Sequence, residues 1–183
     1  CGFCGKWHLG DSLTPQHGFS HWFCLPTGYS FYNDVDVIRD GEVVGSEGYL
    51  TDVITDDALA FIDGHKNEMF YLSVNYNAPH APWDGHPQDI VDSYGDCPFK
   101  SCPQERRHPW ATSMADHLGN RESLRGYFAA VTAMDLNVGR ILDKLDTLGI
   151  RENTLVIFMS DNGYSCGHHG FWGKGNGTLP TNM

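Results

Sequence analysis

Nowhere do the 183 residues supply the roughly 20 consecutive apolar positions that a bilayer-crossing helix needs. Nothing at the N-terminus reads as a signal peptide, although a chain that opens on Cys1 without Met leaves the compartment open. Basic residues are also scarce, with 12 Lys and Arg against 23 Asp and Glu and a formal net charge of −11. Nucleic-acid binders gain much of their affinity by neutralising phosphates with Lys and Arg, so this balance excludes nucleic acid as a general partner. The six cysteines, at 1, 4, 24, 97, 102 and 166, form neither a dense disulfide framework nor a paired zinc-ligand pattern. Cys97 and Cys102, across Pro98-Phe99-Lys100-Ser101, are the expected bridge in an oxidising compartment.

Glycine and proline, by contrast, are plentiful at 21 and nine, and they cluster, which implies long shaped loops. With 40% hydrophobic residues the chain can hold one globular core, so residues 1–183 are read as one domain or a piece of one.

Cys1 to Cys4 suits the end of a strand, followed by a loop to about Tyr32. Short apolar alternation at 35–44 around Asp40-Gly41 predicts a hairpin in a small surface excursion. Leu50, Val53, Ile54, Ala58, Phe61 and Ile62 recur at helical spacing, with Thr51 and Asp52 at the start and Gly64 at the end. Asp56-Asp57 is expected on the solvated face of that helix. Phe70, Leu72 and Val74 predict a strand that stops at Ala78-Pro79-His80-Ala81-Pro82. Residues 87–118 show no period and predict an irregular excursion. A long helix is predicted over 121–148, with Asp135 on its apolar stripe as a hydrogen-bonded structural carboxylate. Leu155-Val156-Ile157-Phe158-Met159 then predicts a strand buried on both faces of a parallel sheet. Alternating helices and strands imply an α/β architecture with ligands beyond the carboxyl ends of the strands.

Three loops leave such strand ends. They carry Lys6 and His8, then His80, then Asp161 and Asn162, while the tail from Trp172 to Gly177 adds Lys174. A carboxylate beside a carboxamide offers hard oxygen ligands for Ca²⁺ or Mg²⁺. Lysines and histidines around such a cation can hold a compact oxyanion and move protons. Singly, each has an ordinary structural alternative: Asn162-Gly163 as a turn, His80 as a rigid corner, Lys6 and His8 as a solvated turn, Lys174 as a loop cation. Their joint placement points to sulfuryl or phosphoryl transfer.

Gly5-Lys6-Trp7-His8-Leu9-Gly10, Ala78-Pro79-His80-Ala81-Pro82, Asp161-Asn162-Gly163 and Gly173-Lys174-Gly175 together resemble, in order, the motifs of the formylglycine-dependent sulfatases, within the alkaline-phosphatase-like superfamily. The resemblance covers nearly the whole chain. It implies an alkaline-phosphatase-like sandwich whose largely parallel sheet is flanked by helices, here an interior piece of the catalytic domain lacking the first strand and the C-terminal part. It implies hydrolysis of a small-molecule or saccharide sulfate ester by the parent protein, in a periplasmic, secreted or lysosomal-type compartment. Asp161 and Asn162 would ligate Ca²⁺, or Mg²⁺. Lys6 and Lys174 would contact the sulfate oxygens or the nucleophile, His80 would protonate the leaving alcohol or phenol, and His8 would act on the nucleophile's second hydroxyl.

The family's formylglycine arises from a Cys or Ser in a C/S-x-P-S-R segment upstream of the lysine motif, and none precedes Gly5. Cys24-Leu25-Pro26-Thr27-Gly28 lies on the wrong side of that motif and lacks the arginine. The fragment alone is therefore expected to be inactive. His168-His169 is not assigned to the site. A phosphodiesterase or phosphonate monoester hydrolase of the same superfamily and a noncatalytic binding module are the alternatives.

Overall fold

The computed structural model describes residues 1–174. Gly175, Asn176 and Gly177 of the glycine-rich tail lie outside them. Among the described residues five short strands form one sheet: β1 (Gly2–Gly5), β2 (His21–Cys24), β3 (Asp36–Arg39), β4 (Glu42–Gly45) and β5 (Leu72–Asn75), in the order β4-β3-β2-β1-β5. β1 pairs in parallel with both β2 and β5, so loops leaving β1 and β5 emerge at the same edge.

Period-two alternation sends Cys4, Phe23 and Val37 to one face, where they meet Leu50, Ile54 and Ala58 of helix α1 (Leu50–His65). Phe3, Trp22, Cys24 and Ile38 go to the other, which Trp7 and Phe19 of the β1–β2 loop cover. Among the described residues, helix α1 packs on the first face and the aromatic side chains of the β1–β2 loop cover the second. Helix α3 (Arg121–Thr147) packs along α1, with the Asn120 side chain accepting from the Ser123 amide at its start, 3.2 Å. Along the α1–α3 seam Asn137 donates to Asp52 (2.7 Å), Lys144 pairs with Asp63 (2.5 Å) and Arg140 with Asp56.

The segment 35–44 forms a hairpin as expected, with Asp40 and Gly41 both at positive φ, but not as a separate excursion. β3 pairs antiparallel with β2 and extends the central sheet, because Val37 and Ile38 are buried and need cover on both faces. The region 87–118 is also more ordered than its lack of period suggests: it holds a short helix α2 (Gln88–Ser93), and His108 and Glu105 bond backbone to backbone with Gly170 and Gly167.

The run 155–159 forms no strand. Its five side chains are 43–86% exposed, because among the described residues no neighbouring strand pairs with it. An isolated strand has nothing to satisfy its backbone groups except water. Asp135 is exposed too, on the outer side of α3 rather than on its packed stripe.

Candidate functional site

Gly5 has φ +110° and lies so close to β5 that a Cβ there would sit 2.1 Å from the Asn75 carbonyl oxygen. This close approach lets the Lys6 amide donate to Asn75 O (2.8 Å), which fixes where the chain leaves β1 and starts Lys6 outward over the sheet edge. Lys6 is half-buried; burial pushes its pKa down, repulsion from Lys174 adds to that, and Asp161 partly offsets it. Lysines from opposite ends of the chain are thus held within electrostatic reach of each other and of one carboxylate.

His80 stands between two cis peptide bonds, Ala78-Pro79 and Ala81-Pro82. Its backbone is anchored by the fully buried Tyr32, whose hydroxyl donates to His80 O at 2.7 Å. Nδ1 lies 2.8 Å from Ala81 O, a contact that requires Nδ1 to carry hydrogen and leaves Nε2 to exchange a proton. Burial lowers the His80 pKa; the bond to Ala81 opposes this, Lys6 and Lys174 lower it further, and Asp161 raises it. Lys6, His80, Asp161 and Lys174 therefore share one electrostatic environment.

Asp161 is exposed and accepts from the Asn162 amide at 2.7 Å; the Asn162 side chain donates to Gly163 O at 3.0 Å. His8 is exposed, at φ 61°, with its ring seated on Gly28, where a Cβ would come within 1.9 Å of the imidazole. Gly28 and Tyr32 are site-supporting residues that the sequence alone does not flag. Their role depends on the β2–β3 loop reaching both histidines, contacts across 20 positions to His8 and 48 to His80 with no local pattern.

Asp161 and Asn162 suit a hard cation by donor type, a carboxylate beside a carboxamide. A second candidate set is Cys4, His21 and Asp57, whose ligand atoms lie within 4.8 Å of one another. Asp57, read from the sequence as solvated, is only 5% exposed. It accepts from His21 (2.6 Å), Cys4 (3.2 Å) and Arg39 (3.0 Å). Burial works to raise its pKa, but the bonds from His21 and Cys4 and the charges of His21 and Arg39 outweigh it and hold the carboxyl low. The Cys4 thiol is pushed far up by burial and by Asp57. The carboxylate is thus compensated without an ion, and the cluster ties β1, β2 and β3 to α1 on the helix face.

Cys102 faces Cys166 rather than Cys97. The hydrogen bond with Cys166 holds Cys102 below the usual thiol range, and that bond together with burial pushes Cys166 far up. Gln104 clamps the same two loops, donating to Cys102 O (2.8 Å) and Cys166 O (2.9 Å). His168 likewise serves the clamp, with Nε2 2.9 Å from Ser101 O.

The sulfatase family model matches residues 2–181. An N-acetylglucosamine-6-O-sulfatase of Bacteroides thetaiotaomicron is 25% identical over 93% of the chain and 43% of its own length. An ulvan-active sulfatase of Formosa agariphila is 30% identical (90% and 33%), and the mouse N-acetylgalactosamine-6-sulfatase 34% (87% and 29%). Among solved structures, Ps i-CgsB in complex with k-i-k-neocarrahexaose superposes with a TM-score of 0.68 at 26% identity, over 88% of this chain and 37% of that one. A structure in complex with D-glucosamine-2-N,6-O-disulfate gives 0.76 at 23% identity, 94% and 49%, and supports the fold. The chain spans less than half the length of these curated relatives. With the family matched from Gly2 to Thr181 and the sheet, lysines and histidine loop placed as described, the chain belongs to the sulfatase family.

Proposed function

We propose that the protein carrying this chain hydrolyses sulfate esters of saccharides. The observation that supports this most is that Lys6 and His80, which follow the parallel strands β1 and β5, share one electrostatic environment with Asp161 and Lys174 in a chain that the sulfatase family model matches over residues 2–181. Relatives named for sulfated saccharides, and the solved complexes with such ligands, favour a saccharide ester.

Two ammonium groups that repel each other form a seat for a compact anion, since an anion between them relieves the repulsion. In this reading Lys6 and Lys174 hold the sulfate oxygens and stabilise charge that builds during S–O cleavage. Burial is the larger cause of the lowered His80 pKa, and the same anion would offset the part that comes from the lysines, which favours the protonated imidazole when the ester is bound. With Nδ1 bonded to Ala81 O, His80 gives that proton from Nε2 to the departing alcohol oxygen. His8, on Gly28, takes a proton from the nucleophile's second hydroxyl. A formylglycine hydrate from sequence outside this chain would supply the attacking oxygen, and a divalent cation, Ca²⁺ or Mg²⁺, held in part by Asp161 and Asn162, would neutralise charge beside it.

The test compares His80→Ala with the parent full-length protein on two leaving groups. A sugar alcohol is a poor leaving group and depends on the acid, so kcat on a saccharide sulfate falls by about 10²–10⁴. An aryl sulfate with an acidic phenol loses far less. Equal losses on both, or faster turnover of an aryl phosphodiester than of an aryl sulfate, contradict the proposal.

A further inference from the structure

The β2–β3 loop touches both histidines and exposes two aromatic rings. Tyr29 is 48% and Phe31 62% exposed, with ring centroids 5.7 Å apart at 68°. Tyr29 also meets the His80 ring edge to face, centroids 6.0 Å apart. The loop is anchored on both sides: Gly28 beneath His8, the Asn77 side chain donating to Ser30 O at 3.2 Å, and Tyr32, just after Phe31, fully buried. Within it Thr27 Oγ1 donates to Tyr29 O at 2.5 Å. Large apolar rings left in water by an otherwise anchored loop are not spare core, since the core beneath them is already closed by Leu25 and Tyr32.

These rings open onto a groove of about 490 Å³ that Thr27, Tyr29, Phe31, Asn33, Asp34 and Asp36 help to line. Its size falls within the roughly 300–1,000 Å³ of small-ligand sites. The chemistry of the lining is mixed: two aromatic rings, of which Tyr29 meets His80, together with a hydroxyl, an amide and two carboxylates. Flat rings suit the C–H face of a pyranose, and carboxylates and amides suit its hydroxyls. Asp34 already accepts from the Gly48 amide at 2.7 Å, which fixes it in place, while Asp36 is exposed at the start of β3. Two carboxylates in the groove repel a second anionic group there.

We propose that this groove is the leaving-group subsite, in which Tyr29 and Phe31 stack on the saccharide whose oxygen His80 protonates, and the acidic end takes an uncharged or amino-bearing neighbouring ring. The inference rests on the sulfatase reading and adds to it a discrimination against uronate or second-sulfate substituents on that neighbouring ring.

The experiment uses the full-length protein with three probes: 4-methylumbelliferyl sulfate, a 6-sulfated disaccharide with a neutral second ring, and the matching disaccharide with a uronate second ring. Phe31→Ala and Tyr29→Ala raise KM for the neutral disaccharide by about 5–10-fold, the size of a lost stacking contact, and by a smaller factor for the aryl sulfate. Phe31→Trp restores it. Asp36→Asn narrows the preference for the neutral over the uronate disaccharide. Calorimetric titration with the desulfated neutral disaccharide reads the groove without turnover, so a protein that hydrolyses none of the sulfates but binds this sugar through Phe31 fails the catalytic reading and keeps the subsite. The subsite is overturned if both alanine variants, with melting temperatures like the parent, shift KM equally for saccharide and aryl sulfates. Sugar binding that is indifferent to Phe31 overturns it as well.

Discussion

His86 shows how a single side chain can set an acid limit on this fold. It is 6% exposed, its Nδ1 meets the Tyr49 hydroxyl at 3.0 Å, and its ring stands edge-on to Tyr32, 4.5 Å between centroids. Burial pushes its pKa down to about 4, against weaker opposition from Pro82 and Asp84. The unfolded chain therefore binds the proton more readily between the ordinary imidazole value and that lower one. Stability from neutral His86 is complete above the unfolded value and is lost as pH falls through the folded one. Denaturant titrations between pH 6.5 and 4 are expected to show a stability slope shallower in His86→Gln by about 1 kcal/mol per pH unit than in the parent. Parallel slopes would show that another group sets the acid limit.

Among the elements, α3 is where helix propensity and packing disagree most openly. Gly126 lies on its buried side, and a Cβ there would sit 1.9 Å from the Trp83 carbonyl oxygen; at Gly139, thirteen residues on, a Cβ meets nothing within 4 Å. Alanine at either site gains about 1 kcal/mol of helix propensity. At Gly126 the overlap with backbone outweighs that gain, so Gly126→Ala is expected to destabilise by about 1–3 kcal/mol while Gly139→Ala stabilises by up to about 1 kcal/mol. Thermal or urea melts of the two variants check the pair, and equal shifts in the same direction would refute the argument. The spacing of Leu124, Phe128 and Leu145 made this helix legible, as did the pattern from Leu50 to Ile62 for α1, because a 3.6-residue period is written locally. Asp57 was not legible: its partners His21 and Arg39 come from two strands, and no helical pattern announces what will stand opposite a carboxylate. The pairing of Cys102 with Cys166 was hidden for the same reason, since only the fold brings positions 64 apart in sequence together.

At the scale of the whole molecule, β5 is an outer strand of the sheet, all four of its residues are partly exposed, and the apolar run 155–159 stands in water. The sequence was right that Leu155 to Met159 has the composition of a buried strand, but composition does not supply the neighbour that buries it. An exposed apolar segment of this kind promotes self-association. The 183-residue chain alone is expected to form oligomers by light scattering, and Ile157→Lys with Met159→Lys to reduce them without changing its circular dichroism. Undiminished association would point to another surface.

The four motif segments were readable because each carries its chemistry in a few adjacent residues, whereas their grouping is not local: parallel β1 and β5 bring Lys6 and His80 to one edge, and Asp161 and Lys174 come within electrostatic reach of them from segments outside the sheet. Lys174 disfavours the charged form of Lys6, and an anion seated beside them would offset that repulsion. On the proposed function, inorganic sulfate would relieve that repulsion as an ester would, so the product is expected to compete with substrate, and its release would be a step for the rest of the protein to assist.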